Sequence, residues 1–217
     1  MKLHLFHGLN LKPTAMLPLA KALSFDPVIH SLNDHKNPKL LNMTSHHWHR
    51  WELDANRWCA SLDQNSMVLC YSISAPLLIN ALNENNKEVG CLIMLSPAFY
   101  FKSLFRFLAY LDYLPDRLPI PSFNKPEYRC ARTLPLGMYK SIKENLPVPK
   151  RLPSHKSLMI IHRHDELLDA TKTIDLGRSL GAQTLALNST YPRPYHASFK
   201  PNETLVNALS NFIKSDI

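Results

Sequence analysis

Residues 67–78 read MVLCYSISAPLL. An apolar run, Met67-Val68-Leu69, breaks at Cys70-Tyr71-Ser72-Ile73-Ser74 into a second apolar segment led by Ala75 and Pro76. A hydrophobic strand that turns abruptly into a helix, with one serine at the apex, has the layout of a nucleophile elbow, in which a sharp turn keeps the hydroxyl exposed above a sheet. The usual pattern is G-x-S-x-G, and here Cys70 and Ser74 stand at the glycine positions. Both are small, so strand and helix can still approach closely. The motif alone is a weak signal, and its weight comes from the segments on either side.

Those segments alternate between strand and helix patterns. Lys2–Phe6 is a short apolar strand that stops at His7-Gly8. Apolar residues at Met16, Leu17, Leu19, Ala20 and Leu23 predict a helix over Thr14–Leu23, with Pro13 and Thr14 suited to its first turn. Val28–Ser31 reads as a second strand and Asn33–Thr44 as a polar loop. Trp48, Trp51, Ala55, Trp58, Cys59 and Leu62 recur at three- and four-residue steps, an amphipathic helix with its tryptophans in the core. A helix follows the elbow to about Asn83. Val89–Ser96 and Ser157–His162 are near-continuous apolar runs, as expected of strands buried on both faces of a parallel sheet. Leu167–Leu180 reads as a helix, Thr184–Leu187 as a strand and Thr204–Lys214 as a final amphipathic helix. This alternation predicts an α/β fold, a mostly parallel sheet with helices on both faces. Residues 98–153 interrupt it with aromatics, arginines and prolines. Phe99, Phe101, Leu104, Phe105, Leu108 and Leu111 would cover one helix face there. The segment is too short for an independent core, so it is read as a small helical cap inserted into a single domain spanning 1–217.

Composition bounds the function. The chain has 217 residues and a net charge of +8, but its lysines and arginines are scattered and no nucleic-acid motif is present, so a solvated basic surface is the better reading. Five glycines are about 2% of the chain against a usual ~7%, which draws attention to Gly8. Cys59, Cys70, Cys91 and Cys130 form no C-x-x-C pair. Free thiols, no signal-peptide pattern and no apolar stretch of membrane-spanning length predict a cytoplasmic protein. His46-His47-Trp48-His49 resembles a metal cluster, but imidazoles at i, i+1 and i+3 do not converge on one helix face, so a polar helix start is favoured and no metal is expected.

A serine hydroxyl needs a general base, and that base needs an acid to fix its tautomer. In an open α/β sheet such groups lie past the carboxyl ends of strands. Asp165 follows the strand Ser157–His162 by a short loop and is the candidate acid. A helix-capping role is its alternative, and Glu166 and Asp169 are alternative acids. His196, in Tyr191–Phe199, is the candidate base, because it alone of eleven histidines occupies the last loop. The order Ser72, Asp165, His196 is that of a serine triad on such a sheet. Oxyanion donors are expected at the N–H of Ile73, the residue after the serine, and of Leu9, in the turn where Gly8 permits a tight path.

With these parts in place the chain resembles the α/β-hydrolase superfamily, and most closely its small, cap-bearing carboxylesterases and monoacylglycerol-lipase-like serine hydrolases. LHLFHGLNLKPTAMLPLAKAL resembles the first strand, HG turn and helix; MVLCYSISAPLLINAL the elbow; CLIMLSPAF the next strand; IIHRHDELLD the acid loop; and YHASF the histidine loop. The resemblance implies hydrolysis of a carboxylic ester of short or medium acyl chain through an acyl-enzyme, with Ser72 as nucleophile, His196 as base and acid, Asp165 as orienter, Leu9 and Ile73 as oxyanion donors, and no cofactor. It also implies a small-molecule ester substrate. The chain departs from the family in starting directly at the strand that bears the HG turn, so a sheet of about six strands rather than the usual eight is expected. Thioesterase, lactonase or carbon–carbon hydrolase activity with the same triad, and a catalytically silent scaffold, are the alternatives. Oligomeric state, substrate identity and any role of Arg106, Arg117, Arg129 and Arg132 stay open.

Overall fold

A computed structural model describes residues 1–36, 41–43, 46–102, 112–122, 124–188 and 194–215. Its centre is a six-stranded sheet built from β1 (Lys2–Phe6), β2 (Val28–His30), β3 (Ser66–Tyr71), β4 (Val89–Leu95), β7 (Ser154–His162) and β8 (Gln183–Leu187). The order is β2-β1-β3-β4-β7-β8, and every neighbouring pair is parallel. β3 and β4 are buried along their whole length, as their apolar runs predict. A separate antiparallel pair joins β5 (Pro119–Pro121) to β6 (Thr133–Pro135).

Side chains alternate across the sheet and create two cores. Phe6, Val68, Cys70 and Met94 face one layer, with Trp51 and Trp58 of α3 (His47–Ala60), Leu78 of α4 (Ser74–Glu84) and Met138 of α5 (Leu136–Asn145). Leu5, Leu69, Tyr71 and Ile93 face the other, with Leu19 of α1 (Leu17–Ala22) and Leu205 and Leu209 of α7 (Glu203–Lys214). Burying three tryptophans on the α3 side removes the largest apolar surfaces of the chain from water, which agrees with the periodicity of that helix. α7 starts where the Asn202 side chain accepts from Leu205 N at 2.8 Å.

Four local readings are corrected. Residues 33–36 of the expected loop form a short helix, α2 (Asn33–Lys36). Its driving force is tertiary: the fully buried Asp34 carboxylate accepts from His47 Nδ1 at 2.9 Å, Arg50 Nε at 3.1 Å and Trp51 Nε1 at 3.2 Å. Burial alone would raise the Asp34 carboxyl, but His47 and Arg50 outweigh it and hold it below its ordinary value. His47 is therefore a buried hydrogen-bond partner of Asp34 and not part of a polar helix start; its Nε2 is engaged by Met43 O. The first helix opens as a 3-10 turn, Pro13–Met16, because Pro18 lies directly behind it. The helix expected from Leu167 begins only at α6 (Ala170–Ser179), since Leu168 bridges Phe101 and Asp169 caps the helix by accepting from Lys172 N. The expected cap helix falls largely outside the described residues, with Leu104, Phe105, Leu108, Leu111 and Arg106. Among the described residues no helix is long and apolar enough to cross a membrane.

A buried histidine, His7, and a half-buried one, His30, are expected to make the fold acid-sensitive. Burial, opposed by the Gly8 carbonyl and reinforced by Lys36, lowers His7 to about 4. Burial together with His4, Lys36 and Lys2 lowers His30 to about 4. Above the unfolded value of 6.5 both states are neutral and nothing changes. Between 6.5 and about 4 the unfolded chain takes up protons that the folded chain refuses, so stability falls as pH drops through that window. His7 alone corresponds to a loss on the order of 3 kcal/mol. Urea unfolding at pH 7.5 and pH 5 is expected to show a lower midpoint at pH 5, and His7→Gln is expected to flatten the difference.

Candidate active site

Strand order reverses direction between β1 and β3, and loops at such a switch point leave a crevice past the carboxyl ends of the strands. The turn after β1 and the turn after β3 meet there. Ser72 follows the last residue of β3 and has φ 55, a left-handed conformation that side chains rarely adopt. Its backbone is tied on both sides: Ser72 N donates to Leu95 O at 3.0 Å, and Ser72 O accepts from Ala75 N and Ala98 N at 3.2 and 3.1 Å. Over-determination of this kind is what keeps a strained residue in place.

The two departures from G-x-S-x-G have a physical account. Ser74 turns its hydroxyl into the turn, 2.9 Å from both Phe6 O and Tyr71 O, and accepts from Tyr71 N at 3.0 Å. It thus links the ends of β1 and β3 with hydrogen bonds that a glycine has no side chain to make. Cys70 is fully buried with its thiol 3.5 Å from Ile93 O, and burial pushes the thiol well up, so it is a small hydrophobe and not a reactive group. Cys59, Cys91 and Cys130 are free as well.

Ser72, His196 and Asp165 come together. Ser72 Oγ lies 3.1 Å from His196 Nε2, and His196 Nδ1 lies 2.9 Å from Asp165 Oδ2 and 3.2 Å from Oδ1. Asp165 also caps its own turn, with Oδ1 accepting from Leu167 N and Leu168 N at 2.9 Å each. The same carboxylate therefore caps the turn and meets the His196 ring. Burial would raise the Asp165 carboxyl, but the His196 imidazole and these two amides carry it below its ordinary value. The alternative acids do not reach the ring. Asp169 caps α6, and Glu166 accepts from Tyr195 N at 2.9 Å and His196 N at 2.8 Å, which fastens the histidine loop to the acid loop. Tyr71 adds a third tie, its hydroxyl donating to His196 O at 3.0 Å.

The expected oxyanion donors are oriented by their carbonyl partners. A trans peptide holds C=O and N–H antiparallel, so fixing one fixes the other. Gly8 O, in the same peptide as Leu9 N, faces His7 Nδ1 at 2.9 Å and accepts from Leu11 N at 3.3 Å. Because Leu32 N donates to His7 Nε2, the hydrogen-bond pattern assigns the His7 proton to Nδ1, where it serves Gly8 O. Ser72 O, in the same peptide as Ile73 N, is held by Ala75 and Ala98. Both N–H groups therefore point away from these anchors, and Leu9 and Ile73 both line a cavity of about 290 Å³ that Ser72 and His196 also line. Asn10 completes the turn at φ 54. Its N–H donates to the buried His35 Nε2 at 2.6 Å, and its side chain binds Ser122 Oγ, Ala131 O and Ala131 N at 2.8 Å each. His7, Asn10 and His35 carry no local signal for these roles, because the partners of their side chains lie 20 or more residues away or in the backbone of the turn itself.

Gly8 tolerates no side chain. An added Cβ would lie 2.6 and 2.7 Å from two Tyr71 ring carbons and 3.0 Å from Ser72 Cβ. Tyr71 cannot yield, being packed edge-on against Phe199 and bonded to His196 O. Gly8→Ala is expected to cost about 1–3 kcal/mol and to lower turnover, because the displacement passes directly to Ser72 and His196. A thermal melt and an ester assay on the same sample check both effects.

Three solved structures share this arrangement of elements. A structure of the metagenome-derived lipolytic enzymes LipS and LipT matches with TM-score 0.67 and 16% identity, over 98% of this chain and 93% of that one. Carboxylesterase CesB from Bacillus subtilis matches with TM-score 0.63 and 16% identity, over 100% of this chain and 84% of that one. Est1E from Butyrivibrio proteoclasticus, solved with ferulic acid, matches with TM-score 0.60 and 14% identity, over 98% and 88%. This chain has the α/β-hydrolase fold. No protein-family model and no curated protein matches it. Ser72 follows β3, Asp165 follows β7 and His196 lies between β8 and α7 in the chain; the carboxyl ends of parallel strands share one sheet edge, which is why residues 72, 165 and 196 converge.

Proposed function

We propose that the protein is a serine hydrolase that cleaves carboxylic esters of short to medium acyl chain. The observation that carries this reading is the unbroken relay from Ser72 Oγ through His196 to Asp165 beside a cavity lined largely by apolar side chains. Ser72 Oγ attacks the ester carbonyl while His196 Nε2 takes its proton. Charge develops on the carbonyl oxygen, and the N–H groups of Leu9 and Ile73 receive it. The tetrahedral intermediate collapses as His196 returns the proton to the leaving alcohol. Water then attacks the acyl-enzyme by the same steps in reverse. Throughout, Asp165 keeps the imidazole proton on Nδ1, so that Nε2 can accept. The mechanism needs no cofactor. Esters, thioesters and lactones all pass through this intermediate, and a panel of the three separates them.

We further propose that residues 98–153 act as a cap within a single domain. Asn10 and Asn124 support it: Asn124 Nδ2 donates to Leu9 O at 2.9 Å and Asn10 binds residues 122 and 131, so the segment is fastened to the oxyanion turn. Four free thiols fit a reducing compartment, and the cytoplasm is the proposed location.

The test is hydrolysis of p-nitrophenyl acetate and butyrate by the protein and by Ser72→Ala. Release above background that vanishes in the variant supports the reading. No release, together with no labelling by a fluorophosphonate, favours a catalytically silent scaffold.

A further inference from the structure

The cavity beside Ser72 carries charge of one sign. Its ionisable lining residues of fixed charge are Lys140, Lys143 and Lys172, and among the described residues no aspartate or glutamate lines it. Lys140 is committed to the fold: its side chain is 14% exposed, and Nζ donates to Asp116 Oδ1 at 2.8 Å and Leu114 O at 2.9 Å. Lys143 and Lys172 are held differently. Among the described residues each meets only a loose ion pair at 3.7 Å, with Asp112 and Asp169, and their side chains are 51% and 57% exposed. Exposed pairs of this kind contribute little, so an incoming anion can compete for both ammonium groups. Lys172 also stands in the first turn of α6, where the positive end of the helix disfavours a cation. Ser72, by contrast, is 8% exposed. The same cavity is also lined by the apolar side chains of Phe99, Phe101, Ile142 and Leu167.

Resting on the ester-hydrolase reading, we propose that the substrates are esters bearing a second, anionic group several bonds from the scissile carbonyl, which Lys143 and Lys172 receive at the outer part of the cavity. A lining that combines apolar side chains with two solvated cations is complementary to a carbon chain that ends in a carboxylate or phosphate. A neutral ester of equal length would meet the apolar side chains and leave the ammonium groups unused. The attraction is between partly solvated charges, so it weakens as salt shortens the screening length.

The experiment compares kcat/KM for mono-p-nitrophenyl adipate with that for p-nitrophenyl hexanoate, which has the same number of acyl carbons. A second arm compares 4-(hexanoyloxy)benzoate and 4-(hexanoyloxy)phenyl phosphate with phenyl hexanoate; it moves the anion to the alcohol side and separates carboxylate from phosphate. The expected result is a preference of about tenfold or more for the anionic ester in at least one arm. That preference should shrink at 0.5 M NaCl and be lost in Lys143→Gln/Lys172→Gln, but kept in Lys143→Arg/Lys172→Arg. If the neutral esters are hydrolysed in a Ser72-dependent way and neither arm shows a preference that the glutamine pair removes, the inference is overturned and the ester reading stands. If no ester of either kind is hydrolysed, both are overturned.

Discussion

Ser72→Gly is expected to abolish ester turnover without lowering the melting temperature by more than a few degrees. The first half follows from the proposed chemistry: without Oγ there is no acyl-enzyme, and loss of a nucleophile acting in a triad costs about 10⁴–10⁶ in kcat. The second half follows from φ 55 at this position. An L-residue held in the left-handed region costs about 1–2 kcal/mol, and glycine avoids that cost. Against this stand the greater unfolded-state freedom of glycine, about 0.5–1 kcal/mol, and the lost hydrogen bond to His196, about 1 kcal/mol. The terms nearly cancel. Ser72→Ala removes the same hydroxyl but keeps the strain, so it is expected to melt below Ser72→Gly. Calorimetry on the three proteins, beside a p-nitrophenyl butyrate assay, checks the pattern. Turnover by Ser72→Gly within tenfold of the native protein would mean that another group is the nucleophile. A melting temperature well below that of Ser72→Ala would mean that the turn is not strained.

The same geometry explains what could be read along the chain and what could not. β3 and β4 are legible because a strand buried on both faces must be apolar at every position, and Met67–Leu69 and Val89–Leu95 are. The placement of Asp165 and His196 past strand ends is legible for a related reason: in a parallel sheet, each strand that ends sends its next loop to the same edge. α2 is not legible. Four consecutive polar residues, Asn33 to Lys36, show no periodicity, and the helix forms because Asp34 finds His47, Arg50 and Trp51 on α3. The start of α6 fails similarly, since Leu167 and Leu168 fit a helix but their N–H groups go to Asp165. Ser74 looks like a departure from the elbow pattern until its hydroxyl is seen to span Phe6 and Tyr71, reaching back 68 residues to the first and three to the second. Local pattern reveals elements; hydrogen bonds between distant segments decide where they begin and how the turns between them are held.

Asp165→Asn is expected to lower kcat by about 10³–10⁴ at pH 7 while leaving the acid loop folded, and the hydrogen bonds around this residue say why. Oδ1 serves two backbone amides, Leu167 N and Leu168 N, while Oδ2 makes the shorter contact with His196 Nδ1, 2.9 Å against 3.2 Å. Asparagine keeps the first function if its carbonyl oxygen takes the Oδ1 place. Its NH2 group then faces Nδ1 and can only donate. The imidazole must answer by accepting at Nδ1, which moves its proton to Nε2, 3.1 Å from Ser72 Oγ. A protonated Nε2 cannot take the serine proton, and in serine triads this tautomer error is worth about 10⁴ in kcat. Glu166→Gln makes the contrast. Its oxygens bind only the backbone N–H groups of residues 195 and 196, one acceptor survives in the amide, and the ring tautomer is untouched. The expected loss is about tenfold, from looser placement of the loop. Single-turnover rates with p-nitrophenyl butyrate, with circular dichroism to verify folding, distinguish the two. If Asp165→Asn retains activity within tenfold of the native protein, the carboxylate acts only as a turn cap, and the histidine is oriented by Glu166 and Tyr71 through its backbone.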